Sequence, residues 1–333
     1  MLANNENPSS DAPLIGIAMA TYNPSLSYFL GQISSLKNQT FKNWKCVVVD
    51  DNSNDKSYQI ILDVIADDPR FQIHRNSSNQ GSFKTFERAL SLLPEEVQFV
   101  CYCDQDDIWI PTKLEIQLRA FKDPSVFLVH TDQSLIDEKN RVFVNSCWEL
   151  EGRNVLEAST DLLLFRNLIT GCTTMFRKEV LKTALPFYPL RPHAEMYHHD
   201  MWIAMHACVY GKVLGLKEPL VLYRQHGGNL VGVSSLRRNV KLWELASRAR
   251  RAFNERRGLR EDFLRSLRCF ENGAGRDQER KLSYLDNPLA LLFRGFGFVL
   301  GHPLFFRTWV MLGVGLFSVR LKKEETLNTK RAS

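Results

Sequence analysis

The stretch Val97-Gln98-Phe99-Val100-Cys101-Tyr102-Cys103-Asp104-Gln105-Asp106-Asp107-Ile108-Trp109 runs from an apolar segment straight into three carboxylates. The apolar segment reads as a β-strand, and the acids then stand at its carboxyl end, where open α/β sheets bind ligands. Clustered carboxylates repel one another, so a fold keeps them where a cation or water screens their charge. A hard divalent ion bridging to phosphate oxygens would supply that screening. The alternative is a solvated acidic loop in which Asp107 caps the following helix.

Apolar runs alternate with helical patterns on either side, the signature of βαβ units around a parallel sheet. Strands are expected at 14–20, 45–49, 71–74, 97–103 and 126–130, and helices at 26–38, 57–66, 81–93 and 111–121. Leu30, Ile33 and Leu36 mark the inner face of the first helix, and Phe83, Phe86, Leu90 and Leu93 that of the third. Pro111 falls in the favoured first turn of the fourth. Farther along, 133–145 reads as a hairpin around Glu138-Lys139-Asn140, 169–176 as a strand and 200–209 as a buried helix. Segments 213–216 and 219–224 read as short closing strands. The expected fold class is α/β: a mixed, mostly parallel sheet flanked by helices, with a C-terminal helical extension. The expected division is a flexible N-terminus over 1–12, a main domain over 13–232, and a basic, partly apolar helical region over 233–333.

A chain of 333 residues is long enough for one large α/β domain and an appendage, or for two domains. The net charge of +6 is unevenly spread, because residues 236–282 carry 14 Lys or Arg against 7 Asp or Glu. Such a segment suits an anionic membrane surface. Its basic residues lack the interleaved aromatics that stack bases, so nucleic acid is not an expected partner. The apolar stretch 289–319 is broken by Arg294, His302-Pro303 and Arg307, and neither uncharged piece reaches the ~18 residues of a spanning helix. Its Phe and Trp residues beside Arg suggest an interfacial element lying on a bilayer, with a helical hairpin packed on protein as the alternative. The 7 cysteines show no paired spacing and read as reduced thiols of a cytosolic protein. The polar start reads as free of a signal peptide.

Asp50-Asp51 closes the second strand much as Asp104–Asp107 closes the fourth, and parallel strands would aim both turns at one cleft. Tyr22, after the first strand, offers a flat face for a nucleobase. A carboxylate at Asp51 is suited to an imide N–H or a ribose hydroxyl, although either turn also suits a helix cap. His193, His198 and His199 beside Asp200 lack the spacing of a zinc-binding helix, so exposed or hydrogen-bonded histidines are expected.

Taken in order, Ala20-Thr21-Tyr22-Asn23, Val49-Asp50-Asp51-Asn52-Ser53-Asn54-Asp55, Asn79-Gln80-Gly81 and Asp104-Gln105-Asp106-Asp107 resemble a family 2 glycosyltransferase of the GT-A fold. His198-His199-Asp200-Met201-Trp202 and Tyr223-Arg224-Gln225-His226-Gly227-Gly228-Asn229 are similar to the branch described as rhamnosyltransferases. The resemblance covers about residues 13–232. The Gln-x-x-Arg-Trp motif of processive members is missing from the sequence, which implies addition of a single sugar.

The resemblance implies an inverting transfer from a nucleoside-diphosphate sugar (dTDP- or UDP-linked, with L-rhamnose as one candidate) to a hydroxyl of a saccharide or lipid-linked acceptor. It assigns the donor nucleotide to Thr21, Tyr22, Asn23, Asp51 and Asp104, and the diphosphate to Arg224. Mg²⁺ or Mn²⁺ would be held by Asp104, Asp106 and His226, and Asp200 would be the catalytic base. Gly171, Cys172, Thr173 and Trp202 would form the acceptor pocket. Surface-polysaccharide synthesis at the inner face of the cytoplasmic membrane is the implied setting. Asp200 alternatively reads as a helix cap. One rival activity is a sugar-phosphate nucleotidyltransferase. It calls for a Gly-rich basic loop where this chain has Ala20-Thr21-Tyr22-Asn23-Pro24. Another is a non-catalytic nucleotide-sugar scaffold, and the joint presence of Asp51, Asp104, Asp106 and Asp200 argues against it.

Overall fold

The first strand, Leu-Ile-Gly-Ile-Ala-Met-Ala-Thr, has no polar face because both of its faces are covered. In the computed structural model, which describes residues 12–153, 156–165, 167–187, 198–226 and 258–267, this strand lies inside a large sheet. The chain runs β1 (Leu14–Thr21), α1 (Leu26–Lys37), β2 (Trp44–Asp50), α2 (Asp55–Ile65), β3 (Phe71–Arg75), α3 (Gly81–Ser91) and β4 (Val97–Cys103). It continues through β5 (Ile108–Trp109), α4 (Lys113–Ala120), β6 (Val126–Ile136), β7 (Val142–Val144), α5 (Cys147–Glu151), β8 (Glu157–Ala158) and α6 (Thr160–Phe165). Then come β9 (Thr174–Arg177), α7 (Leu181–Ala184), α8 (His199–Tyr210) and β10 (Lys212–Arg224), and a further helix spans 258–267.

The sheet order is β3-β2-β1-β4-β9-β6-β10-β5, with β7 beside β6 and β8 beside β10. β3, β2, β1 and β4 are mutually parallel, and β9 enters antiparallel between β4 and β6. β6 and β10 are parallel to each other. Two reversals across β9 restore the direction of β4, so β1, β2, β4, β6 and β10 all end at one edge. From β1 the chain goes first to β2 and later to β4 on its other side. That makes the β1/β4 boundary the topological switch where such sheets bind ligands.

Side chains alternate between two buried layers. Ile15, Ile17, Met19, Cys46, Val48, Phe99, Cys101 and Cys103 face α1, α2 and α4. Val47, Val49, Val100 and Tyr102 face the other way, toward α3, α8 and helix 258–267. A Cβ at Gly16 would lie 2.8 Å from Leu93 and 2.9 Å from Val97, so the close approach there requires glycine. The inner stripe of α1 is Phe29, Ile33 and Leu36; the expected Leu30 is exposed, because one helix face buries only a narrow stripe. The α3 face is as expected. α8 is buried almost all round, and Leu259, Phe263, Leu264 and Leu267 of helix 258–267 close one side of it.

Three expectations change. The expected strand over 169–176 is a 3₁₀ turn, Gly171–Thr173, followed by the short β9. The two closing strands are one strand, β10, whose pairing with β6 shifts register on both sides of Pro219; proline has no N–H for the ladder. The two-residue β5, which pairs antiparallel with β10, was not expected. The hairpin over 133–145 is present as the β6–β7 pair. The N-terminus up to residue 11, His193, the boundary at 232 and the interfacial stretch 289–319 lie outside the described residues. Among the described residues, no helix is long and apolar enough to cross a membrane.

His206 on α8 is fully buried, with Nδ1 2.9 Å from Thr183 Oγ1 and Nε2 3.3 Å from Ser266 Oγ. Burial lowers its pKa to about 3, so the folded chain holds a neutral ring where the unfolded chain takes up a proton. Its contribution is therefore complete above the unfolded value of about 6.5 and is lost as the pH falls below it, at up to ~1.4 kcal/mol per pH unit. In urea unfolding, the advantage of the wild type over His206→Gln should shrink by ~1 kcal/mol between about pH 6.5 and about pH 5.5. Parallel losses in both proteins would contradict this.

Candidate active site

The turn after β1 is built from backbone angles that few residues accept. Asn23 has φ 43° and Asn52, in the facing turn after β2, has φ 62°; asparagine tolerates this region better than most side chains. The turns are bonded together: Asn23 N–H donates to Ser53 Oγ at 2.8 Å, and Asn54 donates to Asn23 Oδ1 through its backbone N–H (3.0 Å) and its Nδ2 (2.7 Å). Thr21 is buried, with its hydroxyl toward Asp50 and its carbonyl accepting the Asp51 N–H at 2.8 Å. Tyr22 is 49 % exposed, so its ring is free to meet a ligand at this edge.

Asp51 is buried beside α3 and caps it. Oδ1 accepts from Asn76 Nδ2 (2.7 Å) and Gln80 N–H (2.8 Å), and Oδ2 accepts from Gly81 N–H (2.8 Å). Asn79-Gln80-Gly81 therefore serves as the seat of this carboxylate. Gln105, absent from the sequence-derived site, clasps Tyr22: its Oε1 accepts the Tyr22 N–H at 2.8 Å and its Nε2 donates to the Tyr22 carbonyl at 3.2 Å. A glutamine between two aspartates gives no hint of that contact in sequence.

The acidic turn is joined to the end of β10 by the β5 pairing. Asp107 is fully buried; its Oδ1 accepts the Arg224 N–H at 3.0 Å, and Oδ2 has no partner. It does not cap α4, whose N-cap is Thr112. Asp106 and His226, 120 residues apart in sequence, meet with Oδ2 and Nε2 2.8 Å apart. Asp104, Asp107 and Cys172 each offer a ligand atom within 4.8 Å of one another. Burial, then the charges of Asp106 and Asp200, push Asp104 up to about 7. Burial, then the charges of Asp106 and Asp104, also hold Asp107 well above the usual carboxylate range. Burial and these acids raise the Cys172 thiol as well, which keeps it a poor ligand. Crowded carboxylates, an orphaned buried carboxylate oxygen and an adjacent imidazole suit a divalent cation.

Several expected site residues lie elsewhere. Arg224 is 1 % exposed. Its Nε donates to the Asp106 carbonyl (2.7 Å), and its Nη1 to the Asp137 carbonyl (3.1 Å) and Asn140 Oδ1 (2.6 Å), over the ring of Tyr28. Its guanidinium is thus committed to carbonyls that brace the acidic turn and does not reach for a diphosphate. Trp202 is a core residue whose Nε1 donates to the Ala184 carbonyl at 2.9 Å. Cys172 is buried under the acids, and the Thr173 hydroxyl donates to the Thr170 carbonyl at 2.7 Å, so neither lines an acceptor pocket. Gly171 does face the N-terminus of α8: a Cβ there would stand 2.7 Å from His199 Nε2 and 3.6 Å from Asp200 Cβ.

Asp200 lies in the first turn of α8, not at the cap, which is His198. Its Oδ1 accepts the Met201 N–H at 2.6 Å and Asn167 Nδ2 at 3.2 Å. The ring of His199 stacks on Phe86 at 4.0 Å and meets Tyr102 edge-on, and burial lowers its pKa to about 4. This neighbour of Asp200 is thus a neutral packing residue.

Residues 16–184, half of the chain, match the family model described as glycosyl transferase family 2. An uncharacterized glycosyltransferase of Haemophilus influenzae is 31% identical over 131 residues, which are 39% of this chain and 51% of that protein. The UDP-Glc:alpha-D-GlcNAc-diphosphoundecaprenol beta-1,3-glucosyltransferase WfgD of Escherichia coli is 27% identical over 196 residues, 59% of this chain and 70% of that protein. The match thus spans about half the length of the first of these curated relatives and somewhat more of the second. Residues 1–349 of S. aureus TarS, in complex with UDP-GlcNAc, superpose with a TM-score of 0.52 at 17% identity, covering 93% of this chain and 92% of that one. At that identity the likeness is one of fold.

Replacing the buried Arg224 by lysine removes the planar fork and strands carbonyls of the Asp106 and Asp137 segments. Arg224→Lys should cost about 2–4 kcal/mol in urea unfolding. A variant of wild-type stability with weakened nucleotide binding would instead return the guanidinium to the diphosphate.

Proposed function

The chain belongs to glycosyl transferase family 2, and we propose that it transfers a single sugar, with inversion, from a nucleoside-diphosphate sugar to an acceptor hydroxyl. The observation that carries this reading is geometric: Gly171 stands against Asp200 at the start of α8, and the adjoining Cys172 has its sulfur within 4.8 Å of carboxylate oxygens of Asp104 and Asp107. Acids from the end of β4 and the start of α8 thus face one space. UDP-GlcNAc in the complex with TarS and UDP-Glc in the name of WfgD support a nucleotide-sugar donor. A dTDP- or UDP-linked sugar fits the same reading, with L-rhamnose suggested by the 198–202 and 223–229 segments. Either a saccharide or a lipid-linked hydroxyl would serve as acceptor.

In this mechanism the exposed Tyr22 ring stacks on the base, held by Thr21, Asn23 and the Gln105 clasp. Asp51 Oδ2, which among the described residues accepts only the Gly81 N–H, keeps a lone pair for an imide N–H. Asp104, Asp106 and His226 would hold Mg²⁺ or Mn²⁺, which when bound offsets the charge of the departing diphosphate. Asp200 takes the acceptor proton as the acceptor oxygen bonds to the anomeric carbon and the bond from that carbon to the diphosphate oxygen breaks. Asp107 stays buried beneath the reacting groups.

Thermal-shift measurements with UDP-, dTDP- and GDP-sugars, each with and without Mn²⁺, test donor and metal together. A matching donor with Mn²⁺ at about 100 times its Kd should add ~2.7 kcal/mol, a rise of about 5 °C. Asp106→Ala should lose the metal-dependent part. Stabilisation indifferent to chelator, or pyrophosphate release from a nucleoside triphosphate and a sugar phosphate, would overturn the assignment.

We also propose that the basic and apolar residues of the 233–333 region hold the protein at an anionic cytoplasmic leaflet. The full chain should co-sediment with phosphatidylglycerol vesicles and be released by high salt, whereas a chain ending at residue 232 should stay in the supernatant. Equal sedimentation of the two would refute the membrane role.

A further inference from the structure

The two oxygens of the Asp200 carboxylate have different surroundings. Oδ1 is saturated by the Met201 N–H and by Asn167 Nδ2. Oδ2 makes no hydrogen bond among the described residues, and it is not among their sealed, unpartnered polar atoms. The orientation of the Asn167 amide is fixed independently, because its Oδ1 accepts the Ile169 N–H at 2.9 Å. Only the NH₂ end is left to point at Asp200. Asn167 thus ties the segment leading into the Gly171–Thr173 turn to the first turn of α8.

We propose that Asn167 is the positioning residue for the catalytic base: it holds Asp200 Oδ1 so that Oδ2 alone faces the acceptor hydroxyl. This rests on the reading of Asp200 as base given above. An aspartate has a freely turning terminal torsion, and a base that can present either oxygen at several angles spends little time aligned with the proton it must take. A donor on one oxygen removes that freedom while leaving the other oxygen's lone pairs available. The helix N–H alone does not suffice, since one bond to Oδ1 still allows the carboxylate to pivot about it. The second bond, from a different element, fixes the plane. The titratable groups around Asp200 are Asp104 across the cleft, Tyr102 on β4, and His198 and His199 on its own element. None of them is a recorded donor to Oδ1.

The test uses the full chain with Mn²⁺ and UDP-glucose, dTDP-rhamnose or GDP-mannose, with water as the acceptor hydroxyl, following release of nucleoside diphosphate by hydrolysis against pH. Asn167→Ala should lower kcat about 10–100-fold while the donor KM stays within about two-fold. Asn167→Asp keeps an acceptor for the Ile169 N–H but sets a second carboxylate against Asp200. It should move the acid limb of the rate profile upward by about one pH unit. A purely structural role would lower the amount of folded enzyme without moving that limb. If Asn167→Asp retains both the wild-type kcat and the wild-type limb, the positioning role is overturned. Asp200→Asn, run alongside, separates the two ideas. Turnover retained in Asp200→Asn, or no release from any of the three donors, removes the base assignment itself. Turnover lost there but unchanged in both Asn167 variants removes only the role of Asn167.

Discussion

Everything at this sheet edge depends on holding like charges together in one short turn. Asp104, Asp106 and Asp107 each stand in the field of the others, and two of them are held above the ordinary carboxylate range. Left to itself, such a turn would splay into solvent. It does not, because it is tied down on both sides. Gln105 grips the backbone of Tyr22, β5 pairs with β10, and Arg224 receives the turn through its backbone N–H and its guanidinium. The opposing charge is supplied from within the fold, and the ligand-facing oxygens are left to be neutralised by what binds. Holding polar groups in place before the charge arrives is the arrangement that electrostatic catalysis needs.

The same ties explain how one edge combines contributions from remote parts of the chain. Parallel strands deliver the turns after β1, β2, β4 and β10 to a common side, and side chains then join turn to turn. Asn23 binds Ser53 and Asn54, Asp51 binds the start of α3, and His226 meets Asp106. Each of these bonds joins one turn to the next, so the site is a connected series of turns rather than a set of independent loops. Helix 258–267 extends this order to the back of α8 through Phe263 and the His206–Ser266 contact. The element that carries Asp200 is thereby packed on every side.

Much of this was legible in the sequence, for a physical reason. Strands covered on both faces leave unbroken apolar runs, and helices over them leave single stripes, so the βαβ series from 14 to 130 could be read in register with few errors. The acidic turns were legible because their position at strand ends is set by the sheet. What could not be read were features decided by distant partners. A two-residue strand such as β5 has no periodicity, and β9 is too short to announce its antiparallel entry. Arg224, Trp202 and Cys172 are residue types that suit a site as well as an interior. Their sides were chosen by acceptors such as the Asp137 and Ala184 carbonyls, which lie far away along the chain. Leu30 was assigned inward by spacing alone, yet Phe29 fills the stripe.

The acids themselves can be sorted by how their oxygens are spent. Asp50 and Asp51 use both, on hydroxyl, backbone and amide donors, and this makes them primarily builders of turns. Asp107 uses one and buries the other, which favours a proton or a nearby cation over solvent. Asp106 offers one oxygen to an imidazole, a partner that a cation can displace. Asp200 uses one oxygen and, among the described residues, leaves the other unbonded. An acid in the first turn of a helix is favoured by the helix dipole whatever its chemistry, so its position alone says little. The unspent oxygen is the feature that a merely structural carboxylate has no need to keep.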